Sequence, residues 1–258
     1  GVDSEYLTYN FTGQPVKKMH VHTASGKATQ TEYYTYEYDH AGRLLKTKHK
    51  LNTGAEVLLA ENTYDELGRL ITNKKNNLDA LKTTYTYNVR GWTNKIANPH
   101  FNQTLTYAYN GNISRMQWGQ AGKNRTYTFA YDNLSRLKSA TYSGDGNFNT
   151  SYTYDKHGNI KTLQRYGLTT STTYGLIDNL TAEYTGNQLK YVSDAVNNFA
   201  LSTLLDFKEY TKGTNSEYTY NKNGAMAHDL NKGISQIQYN YLNLPQIVDI
   251  KNQSVEGR

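Results

Sequence analysis

Cysteine is absent from this 258-residue chain, so disulfides and thiolate metal centres play no part in it. The compartment stays open on that count, because a secreted protein need not contain cysteine. No stretch of about 18 apolar residues exists that could cross a bilayer as a helix, and no signal-peptide pattern follows Gly1. Aliphatic bulk is scarce: Leu, Ile, Val and Phe together make up just under a fifth of the residues. With a net charge of +6, that share approaches the composition of a disordered chain. Framed nucleophiles are missing as well. There is no Gly-x-Ser-x-Gly and no thiol, so no enzyme activity and no cofactor are expected.

What the chain has is tyrosine, 25 residues of it. Each can bury a large ring while its hydroxyl stays wet, so tyrosine replaces aliphatic bulk in a sheet with water near both faces. The tyrosines are ordered. The phrase Tyr-x-Tyr-Asp-x-x-Gly-Arg-Leu stands complete with Tyr36, Tyr38, Asp39, Gly42, Arg43 and Leu44. Variants carry Tyr64, Asp65 and Gly68; Tyr85, Tyr87, Asn88 and Gly91; Phe129, Tyr131, Asp132 and Ser135; Tyr152, Tyr154, Asp155 and Gly158. Further copies are read at Tyr107, Tyr109, Asn110 and Gly111, at Tyr218, Tyr220, Asn221 and Gly224, and at Tyr239 and Tyr241 before Pro245.

With Gly13, Gly42, Gly68, Gly91, Gly111, Ser135, Gly158, Gly186, Gly224 and Pro245 as markers, the spacing runs from 20 to 38 residues. Two strands of about 5–8 residues and two short connections need roughly that length, whereas a helix-pair repeat needs roughly 33–47. The period therefore predicts one β-hairpin per unit. Tyrosines two apart share a strand face, and Tyr and Thr suit a pleated surface. The Asp or Asn then accepts bonds from amides in a tight turn. Gly three positions later supplies the left-handed conformation for re-entry as a bulge. The fold expected is all-β: tandem hairpins in a curved single-layer sheet around a wide interior.

Departures from the pattern carry their own expectations. Asn110-Gly111 reads as a shortened, two-residue turn, and Tyr184-Thr185-Gly186-Asn187 as another short form. Ser135 and Pro245 stand where glycine is expected, so different turn geometry is predicted there. The array is read as continuous over 1–258, about ten hairpin units, with an irregular insertion at 190–217 that carries Val196, Phe199, Leu201, Leu204, Leu205 and Phe207. A longer hairpin with a loose outer loop is the preferred reading of that segment, a short amphipathic helix the alternative. Repeat arrays normally carry polar caps; none is evident, so a piece of a longer protein is expected.

Candidate chemistry is thin. His20 and His22 would share a strand face, but no acidic or third ligand lies close in sequence, so they read as surface histidines and no metal site is expected. His40 and His157 fall inside turns and read as solvent-facing. Asp145, Asn147 and Asn149 alternate as in a calcium loop, yet the far bidentate acid is missing; an Asp-Gly hairpin turn is the reading. Basic residues never run beyond two, and Arg43, Arg69 and Arg136 all follow the turn residue. They read as a solvated strand face, with no nucleic-acid partner and no membrane insertion.

The phrase itself, repeated in phase, resembles the signature of the RHS or YD repeat, and the resemblance covers essentially the whole chain. It implies hairpins spiralling into a hollow β-shell that encloses a C-terminal toxin domain in bacterial polymorphic toxins and insecticidal toxin complexes; teneurins use a related shell for adhesion. The family's self-cleaving core, with its Asp-Pro-x-Gly-type motif, has no counterpart, since no Asp-Pro occurs. The resemblance thus implies a structural wall of a secreted or cell-surface bacterial protein. Its partners would be the rest of the shell and an enclosed domain, with edge-to-edge self-association of the isolated piece. The alternative is an adhesion module whose exposed tyrosines, such as Tyr85 or Tyr107, bind glycans or a protein.

Overall fold

The computed structural model describes residues 1–120, 122–196, 200–201, 205–207 and 216–250. Twenty strands account for most of them: β1 (Val2–Tyr9), β2 (Pro15–Thr23), β3 (Gln30–Tyr38), β4 (Leu44–Leu51), β5 (Val57–Tyr64), β6 (Leu70–Lys75), β7 (Lys82–Tyr87), β8 (Thr93–Asn98), β9 (Phe101–Tyr107), β10 (Ile113–Gln120), β11 (Lys123–Tyr131), β12 (Leu137–Ser143), β13 (Thr150–Tyr154), β14 (Ile160–Leu168), β15 (Tyr174–Thr185), β16 (Gln188–Asp194), β17 (Tyr218–Tyr220), β18 (Met226–Asp229), β19 (Ile234–Tyr239) and β20 (Pro245–Ile250). The first sixteen form an unclosed sheet in sequence order, and the last four form a second sheet, also in order. The fold is nearly all-β; the complete helical elements among the described residues are two single 3-10 turns, Asp79–Leu81 and Leu230–Lys232.

Each odd strand ends on a tyrosine and each even strand starts after a five-residue reversal, except that β15 ends on Thr185 and reaches β16 through the two-residue turn Gly186-Asn187 expected there. In the first full copy Asp39 donates its amide to the Arg43 carbonyl at 3.0 Å, and Gly42 donates to the Asp39 carbonyl at 3.0 Å. The Tyr38–Leu44 pair then follows a register shift, so the strand is re-entered through a bulge. The same shift precedes Tyr64, Tyr87, Tyr131 and Tyr154.

The structure corrects the phasing of two units. Tyr109, expected on a strand beside Tyr107, lies in the turn and is fully exposed at 96%. Ala108 takes the aspartate position: its amide reaches Asn112 O at 2.8 Å and Gly111 N reaches Ala108 O at 3.0 Å. The turn is therefore full-length, not the short Asn-Gly form. Tyr241 makes the same slip and also sits exposed in its turn, after β19 has ended at Tyr239. A tyrosine just inside a turn imitates the alternating pair one residue out of phase.

The expected odd geometry at Ser135 and Pro245 is also overturned. Ser135 adopts φ +62° and donates to Asp132 O at 3.0 Å, which is the glycine geometry carried by a serine. Asn243, at φ +57°, is the true glycine equivalent of the last turn, while Pro245 opens the return strand β20. Asn tolerates the left-handed region better than most residues, and serine holds it at a cost of about 1–3 kcal/mol.

By packing, the chain forms two compact units: Gly1–Tyr107 with Met116–Asn124, and Ala108–Arg115 with the chain from Arg125 on. Within the first unit no large apolar side chain is fully buried among the described residues. The second unit has a nucleus of Ala140, Tyr142, Ile177, Ala182 and Val192. Gly167 makes room for it; a Cβ there would stand 2.8 Å from Ile177 Cδ1. Beside this nucleus Tyr127, Tyr142, Phe148 and Tyr174 pack in sequence, edge to face, with centroids 5.1–5.3 Å apart.

Much of 190–217, expected to be an irregular insertion, lies outside the described residues, Phe199 and Leu204 among them. Its start continues β16, and the Leu205 amide donates to Leu201 O at 3.1 Å. Glu217, 1% exposed, ties the second sheet to β16. Its amide reaches Lys190 O at 2.8 Å, and its Oε2 accepts from Val192 N at 3.0 Å and Asn231 Nδ2 at 2.7 Å.

Candidate functional site

The feature repeated most often is a bond that reaches backward. From β3 onward, a tyrosine at the end of each odd strand, or one residue before it in β15, donates its hydroxyl to a carbonyl at the start of the preceding return strand. Nine such bonds occur: Tyr38 to Pro15, Tyr64 to Leu44, Tyr87 to Leu70, Tyr107 to Thr93, Tyr131 to Ile113, Tyr154 to Leu137, Tyr184 to Ile160, Tyr220 to Leu189 and Tyr239 to Met226, at 2.6–3.0 Å. Desolvation raises the Tyr87, Tyr107, Tyr131 and Tyr154 hydroxyls above their ordinary pKa, so they stay protonated donors. The link survives even between Tyr220 and β16, where the ladder of the first sheet has ended.

A second set of contacts reaches forward. Arg43, Arg69 and Arg136 pair through Nε with the aspartate of their own turn at 2.6–2.7 Å. Each guanidinium also lies 4.7–5.0 Å from the centre of the next unit's tyrosine ring, Tyr64, Tyr87 and Tyr154 in turn. Arg43 and Arg136 extend Nη1 to the carbonyls of Asp65 and Asp155 at 3.2 and 3.0 Å. These arginines were expected on a solvated face. They are instead little more than a quarter exposed and bind one unit to the next.

The turn carboxylates are fully engaged. Asp39 Oδ1 accepts from the amides of Ala41 and Arg43, both at 2.9 Å, and Asp65, Asp132 and Asp155 repeat the pattern. In Asp39, Asp65 and Asp132 the amide closing the turn is the main cause of a lowered pKa; in Asp155 it is the Asn159 side chain. Asn88, Asn221 and Asn240 make the same amide contacts without charge. Gly42, Gly68, Gly91, Gly111, Gly158 and Gly224 all take positive φ. Tyr36, Tyr85, Tyr152 and Tyr218 lie half-buried on the strands.

The turn tips expose apolar groups of their own: Phe11, Leu67, Val89, Tyr109, Leu134, Tyr241 and Leu242 are 71–109% exposed. Elsewhere the tips are polar, with His40 and His157 facing solvent. Asp145 is clasped by Arg125 through Nε and Nη2, both at 2.7 Å, and Asn149 Oδ1 accepts from Tyr142 N, so that loop is a hairpin clasp. Three carboxylates, Asp178, Asp194 and Asp206, also converge in the second unit. Asp178 is ion-paired with Arg165, and Asp194 Oδ1 accepts from the amides of Asn179 and Val196.

Sequence reading missed one cluster outright. His20 and His22 do have acidic neighbours, Asp3 and Glu32, delivered by strand register and not by sequence proximity. Only the pairing of β1, β2 and β3 could have revealed them.

The family model described as Teneurin YD-shell matches residues 97–253, more than half of the chain. No curated protein matches it. Among solved structures, that of TcdB2-TccC3 without its hypervariable C-terminal region is similar, with a TM-score of 0.51 and 15% identity over 86% of this chain and 14% of that one. The structure of TcdB2-TccC3-Cdc42 is similar to the same degree, with a TM-score of 0.52, 15% identity and the same coverage of both chains. At that identity the likeness concerns the fold. No helix among the described residues is long and apolar enough to cross a membrane.

Proposed function

The chain belongs to the Teneurin YD-shell family, and we propose that it forms part of the wall of an RHS/YD-repeat shell enclosing a C-terminal effector or toxin domain of a secreted or surface bacterial protein. The observation that carries this reading is the backward tyrosine bond, repeated from Tyr38 to Tyr239. A group that recurs in unit after unit serves the lattice, and the turn carboxylates are likewise spent on amides. The reading is therefore non-enzymatic. Continuous strand pairing also hides backbone edges that would otherwise recruit other chains.

The apolar turn tips suit packing against further shell. Strands β1 and β20 end their sheets and expose Val2, Tyr6, Leu7, Ile247, Val248 and Ile250, so the isolated chain should self-associate edge to edge. Sedimentation showing a strict monomer at high concentration would remove that part of the proposal. The main test is imaging of the longer protein that contains this sequence. Density for a C-terminal domain inside a cavity is expected; a solid particle would end the reading.

Adhesion through exposed aromatics is the second reading, favoured by the solvent exposure of Phe11, Tyr109 and Tyr241. Tyr107 is a poor choice for it, since its hydroxyl is bound to Thr93 O. Glycan binding abolished by Tyr109→Ser and Tyr241→Ser with the fold retained is the result that reading requires.

A further inference from the structure

Asp3, His20 and His22 meet on the first strands, in a place the repeat contacts do not use. Register brings them there: β1 and β2 pair Asp3 with His22 and Glu5 with His20, and β2 and β3 pair His20 with Glu32. Both imidazoles converge on one atom, Asp3 Oδ1, with His22 Nδ1 at 2.7 Å and His20 Nε2 at 3.2 Å. The far nitrogen of His20, Nδ1, faces Glu32 Oε2 at 3.9 Å. That oxygen is itself held by the Tyr34 hydroxyl at 2.9 Å. Glu5 is committed to Lys18.

We propose that Asp3, His20 and His22 form a binding site for one divalent transition-metal ion of the zinc class, with Glu32 and Tyr34 orienting His20 from behind. Two imidazole nitrogens and a carboxylate oxygen are a donor set that zinc accepts, with water at the fourth position. Imidazole selects zinc, copper or nickel over calcium and magnesium, which take oxygen ligands. Ligating histidines commonly give their other ring nitrogen to a carboxylate, which fixes the ring and strengthens the ligand; Glu32 Oε2, 3.9 Å from His20 Nδ1, is the carboxylate that would close on it. The three donor atoms do not all lie within 4.8 Å of one another, so a ring must turn inward for them to share an ion; the side chains are partly open to solvent, which lets it do so without disturbing the strand ladder. The ligands come from two strands, so the ion would staple β1 to β2. This inference stands apart from the wall reading and does not need it.

Zinc chloride titrated calorimetrically into the whole 258-residue chain near neutral pH should show one tight equivalent. Losing either imidazole, in His20→Ala or His22→Ala, should weaken binding by more than about 100-fold, and Glu32→Gln by about tenfold. The double variant His20→Ala/His22→Ala supplies the background of the remaining histidines, and its far-ultraviolet circular dichroism reports whether the sheet is intact. Cobalt(II) added to the unaltered chain gives a readout that needs no variant: the intense visible absorption of a four-coordinate site. Zinc uptake equal in the unaltered and double-variant chains, or a cobalt spectrum that stays that of the aqueous ion, would overturn the proposal.

Discussion

From β1 to β9 the described residues bury no large apolar side chain. From β12 to β16 the chain buries Ala140, Tyr142, Ile177, Ala182 and Val192 and stacks a row of aromatic rings beside them. Both stretches carry the same tyrosine bonds and the same aspartate turns. The first therefore shows how far polar cross-links and half-buried rings alone can hold paired strands, and the second shows what a nucleus of buried apolar side chains adds. Burial of apolar area contributes about 25 cal/mol per Å², while a hydrogen bond contributes only about 1 kcal/mol net. The first region needs many links because each is weak.

Acid should separate the two regions most strongly, because it acts on all charged turns together. The unfolded aspartate titrates near pH 3.9, and Asp39, Asp65, Asp132 and Asp155 lie lower in the folded chain. Their contribution is thus complete above that value and is lost as pH falls through the folded pKa values. Asp145, clasped by Arg125, is depressed much further, so the loop beside the nucleus should hold longest. Amide exchange read along the chain should show protection in β3–β6 failing first; simultaneous loss everywhere would erase the distinction.

Next in size is Ile177→Ala, which should cost about 2–5 kcal/mol in denaturant unfolding. Tyr87→Phe, which removes one donor from Leu70 O, should cost only about 1 kcal/mol. Equal losses from the two would mean that the ladder, not the nucleus, sets stability in both regions. The smallest effect should be a gain. Ser135→Gly relieves a left-handed serine and should stabilise by about 1 kcal/mol, raising the melting temperature slightly; a fall would mean that the serine hydroxyl, 3.4 Å from Asn110 Nδ2, does more than its backbone costs.

The hairpin period and the role of aspartate in the turn were legible in the chain, since both depend on residues close together in sequence. The phase was not always legible, because Tyr109 and Tyr241 mimic strand tyrosines from inside the turn. Ser135 misled because left-handed geometry is a tendency of glycine and not its monopoly. Arg43, Arg69 and Arg136 looked solvated because their partners belong to the next unit, about twenty residues on. Asp3 beside His22, and Glu217 beneath Asn231, depend on register and on long-range packing that no local spacing encodes.

The direction of the tyrosine bond has a consequence for how such a chain comes into being. Each of the nine hydroxyls looks toward the amino end, so each new hairpin finds its acceptor carbonyl in a strand already made. Partners lie one unit back and never across the whole molecule, which keeps the loops to be closed short. A polypeptide emerging from the ribosome can set each unit as it arrives, as masonry is laid in courses.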